Sequence, residues 1–217
     1  MAIDYALDIE TYPDVGMIGK LPEPEISKVL KDPAKIEAAK IEAKEKQLQD
    51  MALNPLYGKI AAYTFFSSDV EDVWTIYNGC SDNEIQLLYE IRDILYDKET
   101  KTTPFLITWN GTNFDLPFIY KRFILNDIQI KYSLSYWTKK YNETHIDLMQ
   151  VWAGYGKYEK LDTVCKAIFG YGKKEFDFRK IPELITIEAG KDKILEYNTQ
   201  DARLVFDLYN KFNGILF

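Results

Sequence analysis

Apolar and acidic positions alternate at the start of the chain. From Ile3 to Thr11 the pattern is that of a strand, with Ile3, Tyr5, Leu7 and Ile9 on one side and Asp8 and Glu10 on the other. A Pro-, Gly- and acid-rich loop follows, from Pro13 to Glu25. Asp32-Pro33 then reads as a helix start, and Ala34 to Met51 is rich in strong helix formers. Its apolar stripe (Ile36, Ile41, Ala43, Leu48) is thin, which predicts a charged, half-packed arm over residues 22–55 ended by Asn54-Pro55.

Tyr57–Phe66 and Val73–Tyr77 are β-rich, and the short polar link Ser67–Asp72 makes them an antiparallel pair. Ser81 or Asp82 is expected to cap a helix, Asn83–Tyr96, with Ile85, Leu88, Ile91, Ile94 and Leu95 at helical spacing. After a polar loop, Lys98–Thr103, the all but unbroken apolar run Pro104–Trp109 reads as a buried central strand. Asn110–Phe114 turns, and Asp115 caps a helix from Leu116 to Leu125. The stretch Ile128–Thr144 is irregular, and His145–Val151 is expected as another strand. Leu161–Phe169 is a short helix closed by Gly170, Gly170–Lys180 a loop, and Asp192–Phe212 a last helix. This order implies one domain over residues 1–217, an α/β fold with a mixed sheet and helices on both faces, the arm being an insertion after the first strand.

Composition narrows the class. An apolar fraction of 47 % with 15 % aromatics fits a packed globule, and no apolar run approaches the ~20 residues of a membrane span. The N-terminus has no signal-peptide pattern, and Cys80 and Cys165 match no metal spacing, so a cytoplasmic protein with reduced thiols is expected. The net charge of −7 argues against broad, nonspecific nucleic-acid binding but not against an enzyme that grips a strand end. Basic pairs such as Lys121-Arg122, Lys139-Lys140 and Lys173-Lys174 read as solvated surface.

The candidate chemistry begins with Asp8 and Glu10, about 7 Å apart along the strand backbone. No Lys or Arg lies within that strand, so a hard divalent cation is the leading candidate to sit between them. Asp115 and Asp201 start or lie on helices whose edges converge on one crevice of such a sheet. Tyr197 and Asp201, at i and i+4, share a helical face. Four carboxylates around two cations suit in-line attack on a phosphodiester, one cation activating water and the other stabilising the leaving 3′ oxygen. Tyr197 is then expected to orient that water. Taken singly, Asp115 is explained by helix capping, Asp147 by a solvated strand end, and His145, the one histidine, by a structural role.

Three segments resemble the motifs of the DEDD (DnaQ-like) 3′–5′ exonucleases. Asp8-Ile9-Glu10 is similar to the first, DxE. Asn110 to Phe118 resembles the second, N-x3-F-D, in the form found in family B DNA polymerases, including the Leu-Pro after Asp115. Tyr197-Asn198-Thr199-Gln200-Asp201 is similar to the third, Y-x3-D, of the tyrosine branch, DEDDy. The resemblance implies a ribonuclease-H-like fold with a five-stranded mixed sheet whose second strand is antiparallel. It implies two Mg²⁺ or Mn²⁺ ions held by Asp8, Glu10, Asp115 and Asp201, and contacts from Thr11, Asn110 and Phe114 to the terminal nucleotides. It further implies release of nucleoside 5′-monophosphates from the 3′ end of single-stranded DNA or frayed ends, with replication or repair proteins as partners. Without a following polymerase domain, a stand-alone exonuclease is expected. The same chemistry on RNA is an alternative, and an inactive module that only binds nucleic acid or a partner is a third reading.

Overall fold

The computed structural model describes residues 4–27, 29, 31–68, 73–96, 103–139 and 143–216. Much of the expected link Ser67–Asp72 and loop Lys98–Thr103, together with Lys140, lies outside them. Five strands form one sheet: β1 (Asp4–Pro13), β2 (Gly58–Ser68), β3 (Trp74–Cys80), β4 (Phe105–Thr108) and β5 (His145–Asp147). Their order is β3-β2-β1-β4-β5, with β2 antiparallel to β1 and β3, and β4 parallel to β1 and β5. This is the mixed sheet of a ribonuclease-H-like fold.

Tyr5, Leu7 and Ile9 point to one face, as the alternation predicts. There they pack with Tyr63 and Phe65 against helices α2 (Glu84–Leu95) and α3 (Asp115–Leu125). On the other face Ala6, Phe66 and Ile107 meet three helices: α5 (Leu148–Ala153), α6 (Leu161–Phe169) and α8 (Glu188–Leu216). Buried leucines and isoleucines contribute about 1.5–3 kcal/mol each, so Leu87, Leu88, Ile91 and Leu95 hold α2 firmly. The arm helix α1 (Pro33–Asp50) buries no side chain at all. Asp32 accepts from the Ala34 amide at its start, as Asp-Pro predicts, and a 3₁₀ turn (Met51–Leu53) with buried Met51 closes it. The short helices α4 (Ser135–Thr138) and α7 (Ile181–Leu184) complete the chain. Among the described residues no helix is long and apolar enough to cross a membrane.

Five local expectations need correction. The cap of α2 is Asn83, not Ser81 or Asp82, and Ile85 faces solvent. Its place in the core is taken by Glu84, which pairs with buried Arg122 and also accepts from the Ile60 amide at 2.9 Å. Arg122 is therefore an interior cation, not surface. Asp115 is the first residue of α3 and not its cap, which is Phe114. Finally, β5 ends at Asp147 and the chain turns at once into α5, because the Asp147 carboxylate accepts from the Met149 amide and starts a helix.

Candidate active site

The end of β1 carries a register shift against β2 between Glu10 and Thr11. A bulge of this kind bends the strand and re-aims its side chains. Helix α8 crosses over β1 and β2, tied to the sheet through Thr199, whose hydroxyl lies 3.3 Å from that of Thr64 and accepts from Asn78 at 3.1 Å. This docking brings residue 201 to residues 8 and 10. One carboxylate oxygen each of Asp8, Glu10 and Asp201 lie within 4.8 Å of one another. Asp115 stands beside them, its Oδ1 accepting from the Ile9 amide at 3.3 Å.

Burial raises the pKa of all four acids, and repulsion from the other acids of the cluster adds to it at Asp8 and Glu10. Asp8 is pushed well above the carboxylate range by burial first, then by Glu10, Asp201 and Asp115. Glu10 is pushed up to about 8 by burial and Asp201. Asp115 reaches about 7 by burial, against the pull of its own and the Ile9 amides. Asp201 is raised by burial, with Lys173 and then Tyr197 opposing. Like charges held this close and this dry need a positive partner.

Part of that partner is in the chain. Lys173 Nζ lies 2.5 Å from Asp201 Oδ2 and 5.4 Å from the centre of the Tyr197 ring. Burial opposes its charge, but Asp201 and Asp8 outweigh it and raise its pKa. The loop that carries it is pinned where the Lys173 amide donates to Asp162 Oδ1 at 2.9 Å. Gly172 permits this, since a Cβ there would collide with the Asp162 carboxylate. Phe176 stacks on Tyr197 at 4.8 Å and Phe178 meets it edge-on at 5.4 Å, leaving the tyrosine buried. Burial and Asp201 hold the Tyr197 hydroxyl above its ordinary pKa.

The second motif forms a tight turn ahead of α3. Asn110 has φ +67°, a left-handed conformation tolerated by Asn. The turn is held by buried Asp147, which accepts from the Asn110 amide at 2.9 Å and the Thr112 amide at 3.0 Å. Asp147 is thus no solvated strand end. The Asn110 side-chain oxygen accepts from Asn113, and Phe114 leans on Phe118 at the core's edge. Thr11 is buried and donates its hydroxyl to the Ala52 carbonyl at 2.7 Å, joining β1 to the end of the arm. His145 is buried between Thr108 Oγ1 at 2.8 Å and the Trp137 carbonyl at 2.7 Å.

Residues 56–215 match the model of a family described as a predicted 3′–5′ exonuclease related to the exonuclease domain of PolB. The chain belongs to this family. It is 31 % identical over 150 residues to DNA polymerase 1 of Aeropyrum pernix, a match covering 63 % of this chain and 14 % of that protein. It is 32 % identical over 150 residues to DNA polymerase 1 of Saccharolobus solfataricus, covering 62 % and 16 %. The chain thus spans less than a fifth of the length of these relatives. The family B DNA polymerase of Pyrobaculum calidifontis superimposes with a TM-score of 0.60 at 12 % identity, covering 98 % of this chain and 24 % of that one, which is a likeness of fold.

In this member of the PolB-related exonuclease family the carboxylates suit a hard divalent cation. All the donors are oxygens, and Asp201 Oδ1 is buried with no hydrogen-bond donor among the described residues. Three groups at the site escape a reading of motifs: Lys173, Asn198 and Asp147. Asn198 lies inside the third motif at an unspecified position, yet donates to Asp8 Oδ2 at 2.6 Å. Lys173 could have been found from Gly172, the small residue that lets a basic loop approach a helix.

Proposed function

We propose that this chain is a divalent-metal-dependent 3′–5′ exonuclease that removes nucleoside 5′-monophosphates from single-stranded DNA or frayed DNA ends. The observation that carries this reading is the convergence of buried Glu10 and Asp201 with Asp8 in one oxygen-only cluster beside Tyr197. Two cations held by Asp8, Glu10, Asp115 and Asp201 would supply activation of water and charge compensation at the leaving 3′ oxygen.

The protein's own groups have separate tasks in this scheme. The four acids hold charge in place. Lys173 offsets part of it from the Asp201 side. Tyr197, a phenol at neutral pH at its ordinary pKa and more so with that pKa raised, orients the attacking water by a hydrogen bond. Asn110 presents its amide nitrogen to the terminal nucleotide, its oxygen being engaged by Asn113. Phe114 offers a base a stacking surface, an interaction of about 1–3 kcal/mol that tolerates any sequence. Thr11 contacts the terminus through its hydroxyl oxygen, whose proton points to Ala52. DNA is favoured over RNA because the relatives are named DNA polymerases.

A digestion panel tests the reading: 3′- and 5′-labelled single- and double-stranded DNA and RNA, with Mg²⁺, Mn²⁺ or EDTA. Labelled mononucleotide should appear at once from 3′-labelled single-stranded DNA, and EDTA should abolish it. Faster cleavage of RNA would reassign the substrate. Activity of the pure protein in excess EDTA, or binding without hydrolysis under every metal, would overturn the proposal.

A further inference from the structure

Asp8 is held by an uncharged amide side chain. Asn198 Nδ2 donates to Asp8 Oδ2 at 2.6 Å, across a sequence separation of 190 residues. With Asp8 ionised, the amide nitrogen is the end facing it, since an amide oxygen there would set acceptor against acceptor. Asn198 is fully buried, and its Oδ1 has no hydrogen-bond partner among the described residues. A buried amide with its carbonyl left over is a poor choice for packing alone. It makes sense if the donor is what matters.

An Asp carboxylate turns freely about its last torsion, with a broad two-fold preference. Beside Glu10 and Asp201 it would rotate away from its neighbours' charge. One short hydrogen bond to Oδ2 stops that rotation and leaves the second oxygen clear of the bond. A neutral donor does this without adding a positive charge that would compete with a cation. Lys173 already stands on the Asp201 side of the cluster. The geometry points to Asn198 as a positioning residue that aims Asp8 for the metal. The inference rests on the metal-dependent reading above.

Asn198→Leu tests it, being of the same branched shape, though larger, and lacking both polar atoms. The readouts are Mn²⁺ affinity without DNA by electron paramagnetic resonance, the melting temperature in EDTA, and kcat and KM against Mn²⁺ concentration. Groups that orient a metal ligand typically change metal affinity or activity by about 10–100-fold. The variant should bind Mn²⁺ about 10-fold or more weakly and regain most of its kcat at high Mn²⁺. Its KM for single-stranded DNA at saturating metal and its melting temperature in EDTA should match wild type. Should leucine prevent folding, Asn198→Ser, smaller and polar, is measured in the same way with the same expectation. A folded variant with wild-type Mn²⁺ affinity and metal dependence overturns the role of Asn198 alone. A wild-type protein that binds no Mn²⁺ removes the metal-dependent reading, and this inference with it.

Discussion

Tyr197 and Asp201 stand one helical turn apart, and their loss should have different effects. On the proposed function the Tyr197 hydroxyl positions water, so Tyr197→Phe should lower kcat by roughly 10–10²-fold with Mn²⁺ affinity near wild type. Asp201→Ala removes a proposed metal ligand and leaves Lys173 without its partner, so both rate and metal binding should fall further. Equal losses in the two variants, at unchanged melting temperature in EDTA, would make Tyr197 a support for the site's structure. Asp147 acts through the backbone. Its replacement by Ala leaves three buried or half-buried amides without their acceptor, at about 2–3 kcal/mol in all. The melting temperature should drop on the order of 5–10 °C, and KM for single-stranded DNA should rise more than kcat falls. His145 offers a clean pH probe, because it is the single histidine. The Trp137 carbonyl can only accept, so Nδ1 carries the proton and Nε2 accepts from Thr108. Burial lowers its pKa from 6.5. A lowered histidine pKa means the unfolded chain takes up protons first, so its contribution to stability is present above pH 6.5 and is lost as pH falls towards the folded value. The imidazole proton resonances of the folded protein should therefore titrate with a midpoint below 6.5; a midpoint at or above 6.5 would contradict the buried, neutral ring.

At the scale of elements, the arm is the part whose removal should matter least to chemistry. Helix α1 buries nothing, but Met51 is buried and the Ala52 carbonyl holds Thr11. Replacing residues 34–49 with a short Gly/Ser linker, and sparing 51–53, should leave the hydrolysis of a thymidine 5′-phosphate nitrophenyl ester within about two-fold of wild type. KM or processivity on long strands should change. Equal loss of both activities in a folded variant would place the arm in the active site. The elements themselves were legible wherever period and punctuation agreed. Asp32-Pro33, the alternation of β1 and the closing Gly170 (φ +78°) each appear where the residues place them. The misses have a common cause, which is a buried polar group with a distant partner. Glu84 displaces Ile85 from the core because Arg122, 38 residues on, is there to meet it. Asp147 ends β5 early because it serves a turn 35 to 37 residues before it. The acids of the site could be named from their motif spacing, whereas Lys173 and Asn198 act through contacts that only the folded chain creates.

For the whole molecule, cation binding should register as stability. A ligand at 100 times its Kd adds about 2.7 kcal/mol, which for a chain of this size is roughly 5–10 °C in melting temperature. Mn²⁺ should raise the wild-type midpoint by that amount and leave Asp201→Ala unmoved; equal rises in both would locate the ion elsewhere. The contact between Asp8 and Asn198 has a temporal meaning as well. At about 5–20 residues per second, a ribosome would make residue 201 some 10–40 seconds after residue 8. Through that interval the first acids exist without their last partner, so on the proposed function a partly made chain lacks a complete site. Closing so long a loop is also slow in refolding, since its entropy is lost before the contact rewards it. Hydrolytic activity should therefore return after dilution from urea with the protection of α8 amides from hydrogen exchange, and later than protection of α2. On the proposed function the site is armed only when α8 docks, so a chain that stalls or frays there is inert rather than indiscriminate.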